Sequence, residues 1–463
     1  VLFLPVMGHG FVHDDFHHLY SAAYHSTRHG LTRANEGQFY APIAWLTHRL
    51  DWILWGPRPF FSATANLLLH IANIALLYTF VLKLWDSEIA ARWSALGFAL
   101  LYPANTWAVM WISTRAHLLV TLFYLAALLA TLWLARTESH RRLAALAIVI
   151  FAALAIFSKE SGVTIPAATA LVLFYIKRSE DQKALPLATI IWLFAAQFAV
   201  LGGYAVLRAR SGAIPMTFSG KVWYTYTPSL NILFENLFRY GWRTYGLLLI
   251  IAMAIALSRI LRGCRLQSGI LTLNDALFSI ILFVITVAPF ILLRARSGMY
   301  TYLPGTAAAL LLGATANSLS KLPVIRAVRF KFLHLSPILL VVIIFSTLTV
   351  IHCLRWMRMA EVNTTVLNQI AAQQVKAEPG TSFILTYTEV DKAHWFPDSF
   401  GLGFPDAVRV LYADPGLNGA IVHHSDINTI NIKSPVTHFS YSLSKEGEPQ
   451  VYLMESQELR YSR

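Results

Sequence analysis

The stretch FSATANLLLHIANIALLYTFVLKL, Phe61–Leu84, carries a single charge, Lys83, in 24 residues. A helix of that length rises about 36 Å, enough to cross the roughly 30 Å hydrocarbon core of a bilayer. Segments of the same kind follow at Trp93–Val109, Ala116–Leu134, Leu143–Phe157, Val163–Ile176, Leu185–Leu207, Tyr245–Leu261, Ala276–Leu293, Tyr300–Ala316 and Pro337–Leu354. The 463 residues are 56% hydrophobic and 13% charged, with mean hydropathy +0.54. A soluble chain of this size would need far more charge to cover its surface. The expected fold class is a polytopic α-helical membrane protein of about eleven spans. The first of these is expected at the apolar stub Val1–Val6, mostly missing from the sequence. The stub has no basic n-region and no cleavage pattern, so it does not read as a signal peptide.

The formal net charge is +13, and its placement decides its meaning. Arg136/Arg141/Arg142, Lys177/Arg178/Lys183, Arg259/Arg262/Arg265 and Lys321/Arg326/Arg329/Lys331 all fall in loops on one face, which the positive-inside tendency makes cytoplasmic. No basic stripe carries interleaved aromatics, so the expected partners are membrane lipids and not nucleic acid. Cys264 and Cys353 then lie on opposite sides of the membrane, and no disulfide between them is expected.

Ahead of Phe61, His17–His29 and Pro42–Trp55 read as two interfacial helices, with Trp45, Trp52 and Trp55 suited to the headgroup zone and Pro57/Pro59 breaking the chain. Ser211–Tyr240, with Trp223, Tyr224, Tyr226 and Pro228, reads as a third interfacial excursion. Beyond Arg355 the composition shifts. Ala360–Lys376 suits an amphipathic helix, and Ser382–Thr386, Ala407–Tyr412, Ala420–His423, Thr437–Leu443 and Gln450–Met454 suit strands between Asp, Pro, Gly and Asn turns. Residues 1–354 are thus expected to form a membrane domain. Residues 355–463 are expected to form a small α+β extracytoplasmic domain on the side of the first loop.

That first loop holds His13-Asp14-Asp15-Phe16-His17-His18. Acids are costly beside a bilayer, and adjacent carboxylates repel, which raises one of them unless a cation is near. The pair suits a general base for an acceptor hydroxyl. Its neighbour would orient it, or Asp14, Asp15 and His18 would hold a divalent cation such as Mg or Mn. The plain alternative is a helix N-terminus, where Asp is stabilised by backbone N–H groups. If the segment is helical, His13/His17 and Asp14/His18 are i,i+4 pairs, a spacing that can hold zinc, although no second ligand cluster supports it. Asn66, His70 and Asn73 share one face of the Phe61–Leu84 helix, for helix packing or for substrate contact.

Arg115, Lys159, Arg294 and Arg296 lie at three separate span ends on the side of the acids. Snorkelling explains any one of them. Four together, with few acids on that side to pair them, suit a phosphate at headgroup level. Glu160 is placed to pair with Lys159 or Arg115.

The order Asp14-Asp15, Tyr40-Ala41-Pro42, Leu67-Leu68-Leu69-His70-Ile71-Ala72-Asn73, Trp111-Ile112-Ser113-Thr114-Arg115-Ala116-His117-Leu118-Leu119, Ser158-Lys159-Glu160 and Tyr300-Thr301-Tyr302-Leu303-Pro304 resembles the C-type (GT-C) glycosyltransferases. Within them it is nearest to bacterial relatives of the transmembrane and tetratricopeptide-repeat O-mannosyltransferases, over roughly residues 11–310. The resemblance implies a bacterial inner-membrane transferase that takes a sugar from a polyprenyl-phosphate donor on the periplasmic face. Asp14 or Asp15 would be the base. Arg115 and Lys159 would contact the donor phosphate, and Glu160, His18, His117 and Tyr300 would support the site. The chain departs from the family pattern at Ala41, where Arg is expected, at His117, where Asp is expected, and at Gly298-Met299, where Glu-Arg is expected. Arg294 or Arg296 would then stand in for that arginine. The acceptor, whether protein, lipid or glycan, is not specified. The rival classes are a transporter or assembly partner for lipid-linked glycans, which would show inverted repeats or matched broken helices, and a glycan polymerase or ligase.

Overall fold

A computed structural model of the chain describes residues 3, 7–8, 10–35, 39–179, 185–213, 226–261, 273–320, 331–388, 396, 398–429, 435–444 and 448–454. Three short helices open it: α1 (Asp15–Tyr24), α2 (Thr27–Thr32) and α3 (Pro42–Trp55). The single helix expected over His17–His29 is two. Ser26 takes an extended backbone and its hydroxyl accepts the His29 N–H at 3.2 Å, capping α2. Pro42 starts α3 in the first turn, where its missing N–H costs nothing, and Gly56, at φ +63°, ends it.

The membrane region follows as α4 (Pro59–Trp85), α5 (Glu88–Ala99), α6 (Ala104–Met110), α7 (Arg115–Arg136), α8 (Arg141–Ser158), α9 (Ile165–Ser179), α10 (Leu187–Arg210), α11 (Leu230–Leu261), α12 (Leu273–Val287), α13 (Gly305–Ser320) and α14 (Lys331–Ala372). Among the described residues, five stretches are long and apolar enough to cross a membrane: Pro59–Trp85, Ile112–Arg136, Arg141–Ser158, Leu187–Arg210 and Leu273–Phe290. The other expected spans map onto α5–α6, α9, α11, α13 and α14. The one expected over Trp93–Val109 is broken: α5 stops at Ala99 and α6 starts after Pro103, which has no N–H to continue a helix. Lys183, Arg262, Cys264, Arg265, Lys321, Arg326, Arg329, Trp223 and Tyr224 lie outside the described residues. Cys353 is a buried free thiol.

Buried polar side chains join the helices. Asn73 Nδ2 donates to the Leu118 carbonyl at 3.0 Å and to the Tyr302 hydroxyl at 3.2 Å, and that hydroxyl lies 2.7 Å from His70 Nδ1. Asn66 Nδ2 donates to the Trp111 carbonyl at 3.2 Å, while its Oδ1 accepts Arg115 Nε at 2.8 Å. The Asn66–His70–Asn73 face therefore packs helices, with α4 tied to α7 and to the turn before α13. Arg115 is 1% exposed. Its guanidinium reaches Asp51 of α3 at 2.6 Å and the Ser62 carbonyl of α4 at 2.9 Å.

At the far end the chain changes character, but its last helix does not break. The span expected over Pro337–Leu354 and the separate helix expected over Ala360–Lys376 are one, α14, of 42 residues. Between them Arg355-Trp356-Met357-Arg358-Met359 holds no Pro or Gly. At 1.5 Å per residue α14 is about 63 Å long, twice the hydrocarbon thickness. Its far end packs on a mixed sheet of β1 (Ser382–Tyr387), β2 (Asn418–His423), β3 (Val436–Leu443) and β4 (Pro449–Leu453), in the order β2-β1-β3-β4. Ser382 of β1 stands opposite Asn418 and Val436 in two parallel pairings, and β4 runs antiparallel to β3. The run Ala407–Tyr412, expected as a strand, is helical within α15 (Phe404–Leu411). Phe404, Ala407, Val408 and Leu411 recur at i, i+3, i+4 and i+7, a helical period. They join a core that also holds Val362, Val366 and Ile370 of α14 and Phe16 of α1.

Removing one member of a buried ion pair strands the other, at a cost of about 3–5 kcal/mol. Arg115→Met should lose that much unfolding free energy, and Arg115→Met with Asp51→Leu should recover most of it. Denaturant titration of the detergent-solubilised protein measures both.

Candidate functional site

The opening loop, the turns after α6 and α8, and the segment between α12 and α13 enclose a cavity of about 790 Å³. It brings together Asp14, His18, His117, Lys159, Glu160, Arg294, Arg296 and Tyr300 of the residues singled out from the sequence. Arg115 and Asp15 do not line it.

The two acids of the first loop have separate surroundings. Asp14 is the N-cap residue of α1 and lines the cavity. Asp15, 1% exposed, sits behind it. Its Oδ1 accepts the Ser113 N–H at 2.7 Å and the Ser113 hydroxyl at 2.5 Å, and its Oδ2 accepts the Val12 N–H at 3.1 Å. Burial pushes the Asp15 carboxyl up to about 7, against these three hydrogen bonds. Asp15 thus fastens the first loop to the Ile112–Thr114 turn, and Asp14 is left facing the cavity.

His13 is not on α1. It takes a left-handed backbone, φ +49°, and its N–H donates to the Ser399 carbonyl at 2.9 Å. No i,i+4 partnership of His13 with His17 forms on one helix. His17 Nδ1 lies 3.1 Å from Asp406 of α15, and its Nε2 lies 3.1 Å from Asn35 Oδ1. His18 Nδ1 lies 3.3 Å from Asn35 Nδ2, and its ring stacks on His48 at 4.7 Å. Burial pushes His13 down to about 4 and His18 down to about 3, so both rings are neutral at pH 7. Among the described residues no three His, Cys, Asp or Glu side chains gather to hold a metal ion. Asp15 spends both oxygens on Ser113 and Val12, and His18 turns Nδ1 to Asn35. These residues do not fit the divalent cation expected at Asp14, Asp15 and His18.

The cavity lining is also rich in basic residues, and several of them are paired. Arg208 meets Glu160 at 2.8 Å. Arg296 meets Glu235 at 2.6 Å and Asn236 Oδ1 at 2.7 Å. With Arg115 held by Asp51, the expectation that few acids stand near these cations is corrected, as is the pairing of Glu160 with Lys159 or Arg115. The partner acids come from segments distant in sequence. Lys159 and Arg294 make no ion pair among the described residues. The Lys159 ammonium stands 5.5 Å from the Phe39 ring centroid, and burial holds it below the ordinary lysine range. Arg33 also reaches the cavity.

His117, 3% exposed, lies on the wall with its ring 5.9 Å from Tyr300, which stacks on Phe290 at 4.5 Å. Trp107 and Trp111 extend this aromatic side. Sequence reasoning did not single out Arg208, Arg33, Asp51, Glu235 or Asp406. The lone acid of the Pro42–Trp55 interfacial helix was a signal for Asp51. Nothing local marked Asp406. From the C-terminal unit, Leu402 lines the cavity while 83% exposed. Beside it, Gly403 approaches the His13 carbonyl so closely that a Cβ would overlap it.

No protein-family model matches the chain. Over 102 residues, 22% of this chain and 11% of the relative, it is 33% identical to the mouse (Mus musculus) protein O-mannosyl-transferase TMTC1. The chain thus matches about a tenth of that relative's length. Two solved structures of ArnT from Cupriavidus metallidurans, a C-type glycosyltransferase, superpose with TM-score 0.52. The apo form matches 95% of this chain and 90% of its own at 12% identity. The form bound to undecaprenyl phosphate matches 100% and 97% at 13% identity. The chain shares its fold with ArnT over nearly its whole length.

Proposed function

We propose that the protein transfers a sugar from a polyprenyl-phosphate donor to an acceptor hydroxyl, on the extracytoplasmic face of the membrane. The observation that carries this reading is one cavity lined both by Asp14 and by Lys159 and Arg294, two cations without an ion pair among the described residues. The fold shared with ArnT, one of whose structures holds undecaprenyl phosphate, supports a lipid-linked donor. The placement of the basic loops supports the extracytoplasmic face, with the 355–463 unit beside the cavity.

In this mechanism Asp14 takes the proton of the acceptor hydroxyl as its oxygen attacks the anomeric carbon. The bond from that carbon to the phosphate oxygen breaks, and the anomeric configuration inverts. The departing polyprenyl phosphate gathers charge, which Lys159 and Arg294 meet, with Arg296 beside them and Arg208 held in place by Glu160. Asp15 is not the base, because both its oxygens are engaged behind the loop. His117 and Tyr300 close the wall between the two ends. No step uses a metal.

General base catalysis contributes about 10²–10⁴-fold. Asp14→Asn should lose that much transfer of radiolabelled sugar from a polyprenyl-phosphate donor while melting at the wild-type temperature. Full activity in Asp14→Asn would refute the assignment. Asp15→Asn, which trades an acceptor oxygen for an amide nitrogen facing donors, should instead lower stability by about 1–3 kcal/mol, read by thermal denaturation.

Burial disfavours the Lys159 ammonium, so it discharges at a lower pH than an ordinary lysine. Binding of undecaprenyl phosphate should therefore weaken as pH rises below the usual lysine range. Lys159→Arg, which stays charged, should carry the loss to higher pH. Titration of the lipid by native mass spectrometry or fluorescence at stepped pH distinguishes the two proteins.

A further inference from the structure

His17 reaches out of the catalytic loop to the C-terminal unit. Its Nδ1 lies 3.1 Å from Asp406 Oδ2, and its Nε2 lies 3.1 Å from Asn35 Oδ1. A carboxylate and an amide oxygen both accept, so each ring nitrogen must carry a proton to satisfy them. The Asn35 amide is turned so that its Nδ2 meets Nδ1 of the neutral His18 at 3.3 Å, which leaves its oxygen for His17. Reversing that amide would need a proton on His18 Nδ1 and would leave His17 uncharged.

Placement favours the charge as well. Asp406 is 4% exposed and is itself held by Arg409 Nη1 at 2.8 Å, so its carboxylate is fixed against the ring. Asp14 precedes His17 by three positions at the start of α1, which puts the two side by side with about 5–6 Å between Cβ atoms. Among the described residues, the titratable and charged groups around His17 are Asp14 and His18 on its own segment, His48 on α3, Asp406 and Arg409 on α15, and Arg33, which also lines the cavity. Of these the Asp406 carboxylate meets the ring, Asp14 stands one turn before it, and His18 beside it is neutral.

We infer that His17 is a standing imidazolium, held by Asp406 of the C-terminal unit, and that its charge keeps the nearby Asp14 ionised beside the buried Asp15. His17 and Asp406 are positioning residues, and this role rests on Asp14 being the base. The C-terminal unit thereby sets the charge state of a group in the membrane domain's cavity.

The test is ring ¹⁵N spectroscopy of the full-length, histidine-labelled protein in nanodiscs at pH 7, with the His17 signals assigned by their loss in His17→Gln. Both His17 nitrogens are expected at protonated shifts in the wild type, and one bare nitrogen is expected in Asp406→Asn. A bare nitrogen in the wild type overturns the charge, whether or not the variant folds. A protonated pair in both proteins overturns the part given to Asp406. With a polyprenyl-phosphate-linked sugar as donor, Asp406→Asn should move the acid limb of the kcat profile up by about one pH unit, roughly tenfold in rate on that limb, with the donor KM unchanged. An unmoved limb overturns the tuning of Asp14. If Asp14→Asn keeps full transfer while His17 is an imidazolium, the base assignment fails and the charge assignment stands.

Discussion

Asp15 is the contact on which the cavity depends. A carboxylate removed from water is costly unless its oxygens are filled, and Ser113 and Val12 fill them with three donors. The result ties a loop ahead of the helical bundle to a turn in its middle, 98 positions away in sequence. With that tie made, α1 begins where it does and its N-cap residue, Asp14, faces inward.

The membrane helices were legible because burial in lipid demands long apolar runs, and those survive in composition alone. A helix break was also readable: Pro57 and Pro59 separate the interfacial segment from the first long span, and α4 starts at Pro59. Two segments misled for a physical reason. Ala407–Tyr412 is too short for its helical period to outweigh the strand-formers in it until Phe404 is counted. The Trp93–Val109 run carries no charge and is mostly apolar, so hydropathy passed over the break that Pro103 makes.

The site was legible in its types and not in its pairings. Asp14, Lys159, His117 and Tyr300 line one cavity, each standing beside an apolar segment where polar groups collect. Arg115 has the same signature and a different fate. A cation at a helix start can face either a cavity or a neighbouring helix, and Asp51, 64 positions earlier in the chain, decides it. Long-range partners such as Glu235 and Asp406 leave no local trace, since an exposed acid and a paired one have the same sequence neighbours.

The unbroken α14 has a mechanical meaning. A helix without a joint transmits torque, so the sheet at its far end cannot pivot freely on the bundle. It is also stitched to the first loop through Asn363, which donates to the carbonyls of Phe11 and Ser399 at 3.0 and 2.8 Å. Rod and stitch make a triangulated frame, closed between the chain's opening segment and its last hundred residues. Swinging the C-terminal unit away from the first loop would have to break both of these hydrogen bonds and bend a continuous helix.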